Sequence, residues 1–190
     1  MFVYKVLTEL PPVPQEFINQ ALDFVAVQYH EAKPINTWAM SVHGRPIYQG
    51  GKQIGESSSQ IRKHFSDTFE QWIKENIIEE FLDWGVVATT PKMNYVGPHT
   101  DIARQYSLIF PIELGGDEVT TSFWIPADGS PPPYAPTYSN YDDLIKVGDL
   151  KANPLEWYIL NSKIIHSVEN ISQGRITIQV SLDHNPWGDP

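Results

Sequence analysis

The stretch GPHTDIARQ, residues 97–105, sets a histidine and an aspartate two positions apart, just after a Gly-Pro turn. Imidazole and carboxylate both ligate metals, and residues two apart in an extended chain project to the same side. His99 and Asp101 can therefore meet one ion, with Thr100 turned away. Six His and eleven Asp in 190 residues produce a His-x-Asp by chance about 0.35 times, so the pair needs corroboration. It comes from KIIHSVENISQGRITIQVSLD, where His166 sits in a predicted strand and Arg175 follows nine residues on, across the turn NISQG. The whole chain has four Arg, which makes that placement uncommon. Two imidazoles and one carboxylate on one face leave the opposite coordination positions open. That suits a non-haem Fe(II) centre that must bind both a substrate and dioxygen. A structural zinc site would instead close its shell with four protein ligands.

Strand parity extends the pattern. In RITIQVSL, Arg175, Thr177, Gln179 and Ser181 share one face, and Ile176, Ile178, Val180 and Leu182 share the other. Two arrangements give such alternation. A polar face can meet solvent above an apolar core. Alternatively, a barrel can turn a polar interior toward a ligand while helices cover its apolar outside. In the second case Arg175 and Thr177 point into the cavity that holds the metal ligands. A guanidinium fork matches a carboxylate, and a neighbouring hydroxyl adds a hydrogen bond. A metal at one end and a carboxylate anchor at the other suit 2-oxoglutarate.

HTD, a distal His and RIT nine residues after it resemble the Fe(II)/2-oxoglutarate-dependent oxygenase superfamily. The stretch HSVENISQGRITIQVSLDHNP is similar to the end of the aspartyl/asparaginyl β-hydroxylase group and to prolyl-hydroxylase-type members, with HNP where that first group has His and Pro adjacent. The likeness covers roughly residues 86–186. It implies a double-stranded β-helix, a cupin-like jelly roll, mainly β with flanking α. It also implies roles: His99, Asp101 and His166 as Fe(II) ligands, Arg175 on the far carboxylate of 2-oxoglutarate, and Thr177 beside it. The implied activity is that of a dioxygenase, a hydroxylase of an amino-acid or protein side chain that consumes dioxygen and releases succinate and CO2.

The elements that would position these residues fall into two textures. VPQEFINQALDFVA spaces Val13, Phe17, Ala21 and Val25 four apart, one helical face after a Pro-rich lead. A second helix is predicted over roughly 59–83, with Ile61, Phe65, Phe69, Trp72, Ile77, Phe81 and Trp84 as its stripe. Between them, HGRPIYQGGKQIGESSS reads as loop. After Gly85 come short β-branched and aromatic runs bounded by Gly, Pro, Asn and Asp, a succession of strands. The prediction is one domain over 1–190, with a helical support region over 1–85 and a double-stranded β-helix over 86–186. Its helices pack outside the barrel. The loop DGSPPPYAPTYSNYDD, 128–143, interrupts the strands, either as an exposed connection or as a lid that grips substrate.

Composition excludes several classes. There is no cysteine, which rules out disulfides and thiolate sites. The net charge of −10 argues against nucleic acid as a partner. No signal peptide or 18-residue apolar run is visible, so a cytoplasmic chain without membrane attachment is the expectation. A small molecule, peptide or protein serves as substrate. Several neighbouring residues have two readings. Tyr95, on the run leading to His99, lines the cosubstrate pocket or packs in the core. Arg104 reads as a surface ion pair in preference to a carboxylate anchor. Trp124 and Trp157 read as core. His184 lies past the last strand, and His30, His43 and His64 have no partner at ligand spacing. A cupin-like metalloprotein that does not use 2-oxoglutarate, and a binding module without catalysis, are the rival functions.

Overall fold

The computed structural model describes residues 2–30, 45–57, 60–89, 94–132 and 138–188. Strand β1 (Tyr4–Val6) precedes helix α1 (Gln15–His30). The Pro14 carbonyl starts the helix by accepting the N–H groups of Phe17 and Ile18 at 3.0 and 3.3 Å. Proline just before a helix costs nothing, because the first N–H groups lack intrahelical partners anyway. Val13, Phe17, Ala21 and Val25 are all buried, as their four-residue spacing requires.

The segment read as loop contains a hairpin, β2 (Pro46–Gln49) and β3 (Lys52–Glu56). Gly50 and Gly51 turn it, with φ of 59° and 70°. Two consecutive positive φ values define a tight hairpin turn that glycine makes without steric cost. The two glycines were therefore a hairpin signal rather than a break.

The second helix is shorter than predicted. Strand β4 (Gln60–Lys63) comes first, then α2 (Asp67–Asn76). Ser66 caps α2 by accepting the Phe69 N–H at 3.3 Å. Ser66→Ala is expected to cost about 1 kcal/mol of stability, which a denaturant titration would read. The aromatic stripe overran the helix because strand β5 (Asp83–Thr89) begins before the pattern ends. Trp84 belongs to β5 yet packs edge-on against Phe69 of α2 at 5.3 Å. A contact in space had imitated a period in sequence.

The remaining strands are β6 (Val96–His99), β7 (Tyr106–Leu114), β8 (Thr120–Pro126), β9 (Leu144–Leu150), β10 (Tyr158–Asn161), β11 (Ile165–Glu169) and β12 (Arg175–Leu182). A six-stranded sheet has the order β1-β10-β7-β12-β5-β4, and a four-stranded sheet the order β6-β11-β8-β9. Neighbours in both are antiparallel. This is the expected jelly roll with helices outside. The region 1–85 is more than helical support, since β1 and β4 form both edges of the larger sheet.

Core packing decides which way β12 faces. Ile178, Val180 and Leu182 pack with Phe17 of α1 and with Phe69 and Ile73 of α2. Ile176 joins Ala21 and Val25. The apolar face of β12 is thus the outer, helix-covered face. Ile109, directly opposite Gln179 and so on the same face, packs on Phe123 of β8 in the smaller sheet. Arg175, Thr177, Gln179 and Ser181 therefore face inward, the second of the two arrangements that alternation allowed. The other face of the smaller sheet carries Trp124 and Ile165 beneath Ile47 of the β2–β3 hairpin. No helix among the described residues is long and apolar enough to cross a membrane.

Candidate metal centre

Strands β6 and β11 pair so that His99 lies opposite His166, with ring centroids 4.4 Å apart. Each ring is fixed through its own strand. Nδ1 of His99 contacts the Gly97 carbonyl at 2.8 Å, and Nδ1 of His166 the Ile164 carbonyl at 3.0 Å. A carbonyl can only accept, so Nδ1 is the donor in each contact and Nε2 is the nitrogen left to face an ion. A metal-binding imidazole is oriented by the same kind of outer hydrogen bond.

Asp101 joins the two rings from outside the strand. β6 ends at His99, so the expectation that His99 and Asp101 lie along one extended stretch is corrected: the pair straddles a strand end. Thr100 is itself buried. The Asp101 backbone is held instead by donating its N–H to the Ser162 carbonyl at 3.0 Å. Its Oδ1 lies 3.9 Å from His99 Nε2 and its Oδ2 3.8 Å from His166 Nε2. The three donor atoms sit within 4.8 Å of one another, on side chains only 12%, 8% and 13% exposed.

Charge at this cluster favours cation binding. Burial alone would raise the Asp101 carboxyl, but Arg104 and the two imidazoles outweigh it and hold the group far below the usual carboxylate range. Burial, with His99 beside it, pulls the His166 imidazole down to about 4, against the opposing pull of Asp101. At neutral pH the centre thus offers an anionic carboxylate and, at His166, a neutral ring. Donors bound at roughly 2.1 Å from a common ion lie about 3 Å apart; the two carboxylate–imidazole separations, 3.9 and 3.8 Å, exceed that by roughly 1 Å. The donor set, the protonation states and the outer hydrogen bonds all fit a divalent cation.

Arg175 lies on the inner face of β12 and is 9% exposed. Its guanidinium has no hydrogen bond or ion pair among the described residues, and burial pulls its pKa down to about 10. It stays charged at neutral pH. Two more buried groups near it lack partners, the hydroxyls of Thr177 and Thr89. Thr89 stands directly opposite Arg175 in the β5–β12 register. Sequence reading found Arg175 and Thr177 but missed Thr89, because only strand register brings it there. An isolated buried cation and two unsatisfied hydroxyls are costly unless a ligand completes them.

Two expectations are corrected. Tyr95 does not face this cavity. Its ring packs with Tyr141 at 6.5 Å, in the cluster of Trp124 and Ile165. Trp124 and Ile165 occupy the positions alternating with Phe123 and His166, so Tyr95 lies behind the sheet. Arg104 is not a surface ion pair, because its Nε donates to Asp101 Oδ2 at 2.8 Å with its side chain 13% exposed. Trp124 and Trp157 are core residues, as expected. His64 stacks on Trp84 and bonds Asp83 at 2.8 Å. With His184 it lines a separate cavity of about 620 Å³ between α2 and the end of β12. His43, residues 133–137 of the Pro-rich loop and the His30 side chain lie outside the described residues.

No family model matches the sequence, and no curated protein matches it. Among solved structures the chain is similar to a prolyl-4-hydroxylase from Pseudomonas putida. The TM-score is 0.51 and the identity 11%, over 97% of this chain and 95% of that one. It is also similar to the non-haem alpha-ketoglutarate-dependent epimerase SnoN of nogalamycin biosynthesis, with TM-score 0.45 and identity 13%, over 96% and 79% of the two chains. At such identities the first likeness is one of fold.

Proposed function

We propose that this chain is an Fe(II)- and 2-oxoglutarate-dependent dioxygenase that hydroxylates an amino-acid or protein side chain. One observation carries the reading. A buried guanidinium with no partner among the described residues faces the same barrel interior as a converged His-Asp-His set. A metal site alone needs no such cation, and a structural site would not leave one unsatisfied.

His99, Asp101 and His166 would hold Fe(II). Bound iron with 2-oxoglutarate and dioxygen supplies oxidative decarboxylation to succinate and CO2, coupled to oxidation of a C–H bond. The chain's own contribution is positioning and charge. Arg175 takes the far carboxylate through two parallel N–H donors. Thr177 and Thr89 supply hydroxyls that otherwise lack partners. The Nδ1 hydrogen bonds of the two histidines keep both Nε2 lone pairs directed at the shared point. The apolar interior on the other side, with Ile109, Phe123 and Tyr158, excludes water from the charged half. The side-chain substrate class draws support from the prolyl-4-hydroxylase name of the structural neighbour.

Titration calorimetry on Mn(II)-loaded protein tests this directly. The expected result is one 2-oxoglutarate per chain, dependent on the metal, and slow succinate release once Fe(II) and air replace Mn(II). A metal-loaded protein that binds no 2-oxoglutarate removes the reading and leaves a cupin-like metalloprotein.

A further inference from the structure

We propose that Arg104 is a positioning residue that fixes Asp101 as a one-oxygen metal ligand; this rests on the metal reading above. The need arises from the end of β6. Strand pairing orients His99 and His166, but Asp101 lies two residues past the strand and receives no such support. Its carboxylate could turn about its own side-chain bonds and present either oxygen, or both.

The contacts around it decide the matter. Arg104 Nε donates to Oδ2 at 2.8 Å, and Ser107 Oγ donates to the same oxygen at 3.5 Å. Oδ1 has no hydrogen bond among the described residues and faces His99 Nε2 at 3.9 Å, whereas Oδ2, although 3.8 Å from His166 Nε2, is taken by these two donors. Arg104 is itself anchored, since Nη1 donates to Ser181 Oγ at 3.3 Å. Ser181 is on β12, the strand that carries Arg175. The loop between Asp101 and Arg104 is held from its other side by Lys163, whose Nζ donates to the carbonyls of Asp101 and Ile102 at 3.0 and 3.3 Å. The guanidinium thus takes one carboxylate oxygen, ties it to the cosubstrate strand and leaves the other for the ion. A carboxylate bound through both oxygens would occupy an extra coordination position. Holding Oδ2 keeps that position open for a bidentate cosubstrate and dioxygen. Arg104 also compensates the buried carboxylate before any ion arrives.

Co(II) and Mn(II) binding to wild type, Arg104→Gln, Arg104→Lys and Ser181→Ala read this without catalysis. Removal of a group that orients a ligand typically lowers metal affinity about 10–100-fold, and Arg104→Gln is expected to show that loss for Mn(II). Its Co(II) visible bands should shift in position and intensity as the second oxygen joins. Arg104→Lys keeps a donor for Oδ2 and should restore most of the wild-type spectrum. Ser181→Ala, which alters no charge, should shift the bands in the same direction by less. An Arg104→Gln protein that melts like wild type and keeps both its spectrum and its Mn(II) affinity overturns the proposal. If that variant does not fold, a Ser181→Ala spectrum identical to wild type overturns it instead. Wild-type protein that takes up neither ion removes the metal reading and this proposal together, an outcome distinct from an unchanged variant on a working site.

Discussion

Arg175→Met is expected to weaken 2-oxoglutarate binding to the metal-loaded protein by roughly 30-fold or more, with Mn(II) affinity within a few-fold of wild type. The guanidinium is buried, has no partner among the described residues and would find one in the ligand. Truncating one member of a buried, hydrogen-bonded charge pair costs about 2–5 kcal/mol, which spans about 30-fold to several thousand-fold in affinity. Methionine keeps much of the volume, so the loss reports the charge and the fork rather than a cavity. The same substitution should raise the melting temperature of the ligand-free protein, because an unpaired buried cation is replaced by an apolar side chain. Weaker binding together with higher stability is the signature of a binding group that the fold itself does not need. Thr89→Val and Thr177→Val should each show the same signature on a smaller scale, since a hydroxyl–ligand bond contributes about 0.5–1.5 kcal/mol net. Calorimetry and thermal melts on the same preparations separate the two effects. Unchanged 2-oxoglutarate affinity in Arg175→Met would place the carboxylate anchor elsewhere.

The parts of the site that could be read from sequence are those whose residue types are rare and whose spacing is short. His99, Asp101, His166 and Arg175 combine scarce side chains with separations that strand geometry makes meaningful. The inward turn of β12 was legible as one of two options, and the helices settled it by covering Ile176, Ile178 and Val180. Thr89 was not legible. A threonine ending VVAT carries no local mark, and it gains meaning only when β5 pairs with β12 across a separation of 86 positions (175 − 89). Arg104 was visible at three residues from Asp101, but spacing does not reveal burial. The surface reading was reasonable for an exposed loop and failed because Ser181 and Asp101 enclose the side chain. Tyr95 failed for the opposite reason. Nearness in sequence to His99 suggested a shared face, while its partner Tyr141 belongs to the outer layer. The overlong helix came from Trp84, whose strand position satisfies the same aromatic cluster that a longer helix would have satisfied.

Phe69→Ala should destabilise the protein by about 3–5 kcal/mol, the usual cost of emptying a large aromatic site in a core. Phe69 is fully buried, with Phe17 and Phe65 at 5.0 Å, Trp84 at 5.3 Å and Trp72 at 5.6 Å between ring centroids. Its neighbours come from α1, α2, β5 and the segment between β4 and α2, so no single rotation can refill the space. At about 2–4 °C per kcal/mol for a chain of this length, the melting temperature should fall by roughly 10 °C. The cluster lies on the outer face of the larger sheet, and the metal ligands lie across that sheet on its inner side. Co(II) bound to the folded fraction of Phe69→Ala should therefore keep the wild-type spectrum, while the midpoint of thermal loss moves down. A changed spectrum at temperatures where the variant is folded would mean that the helices hold the inner face in shape as well as covering the outer one. The reach of the outer aromatic layer into the site is then measured by one side chain that touches no ligand.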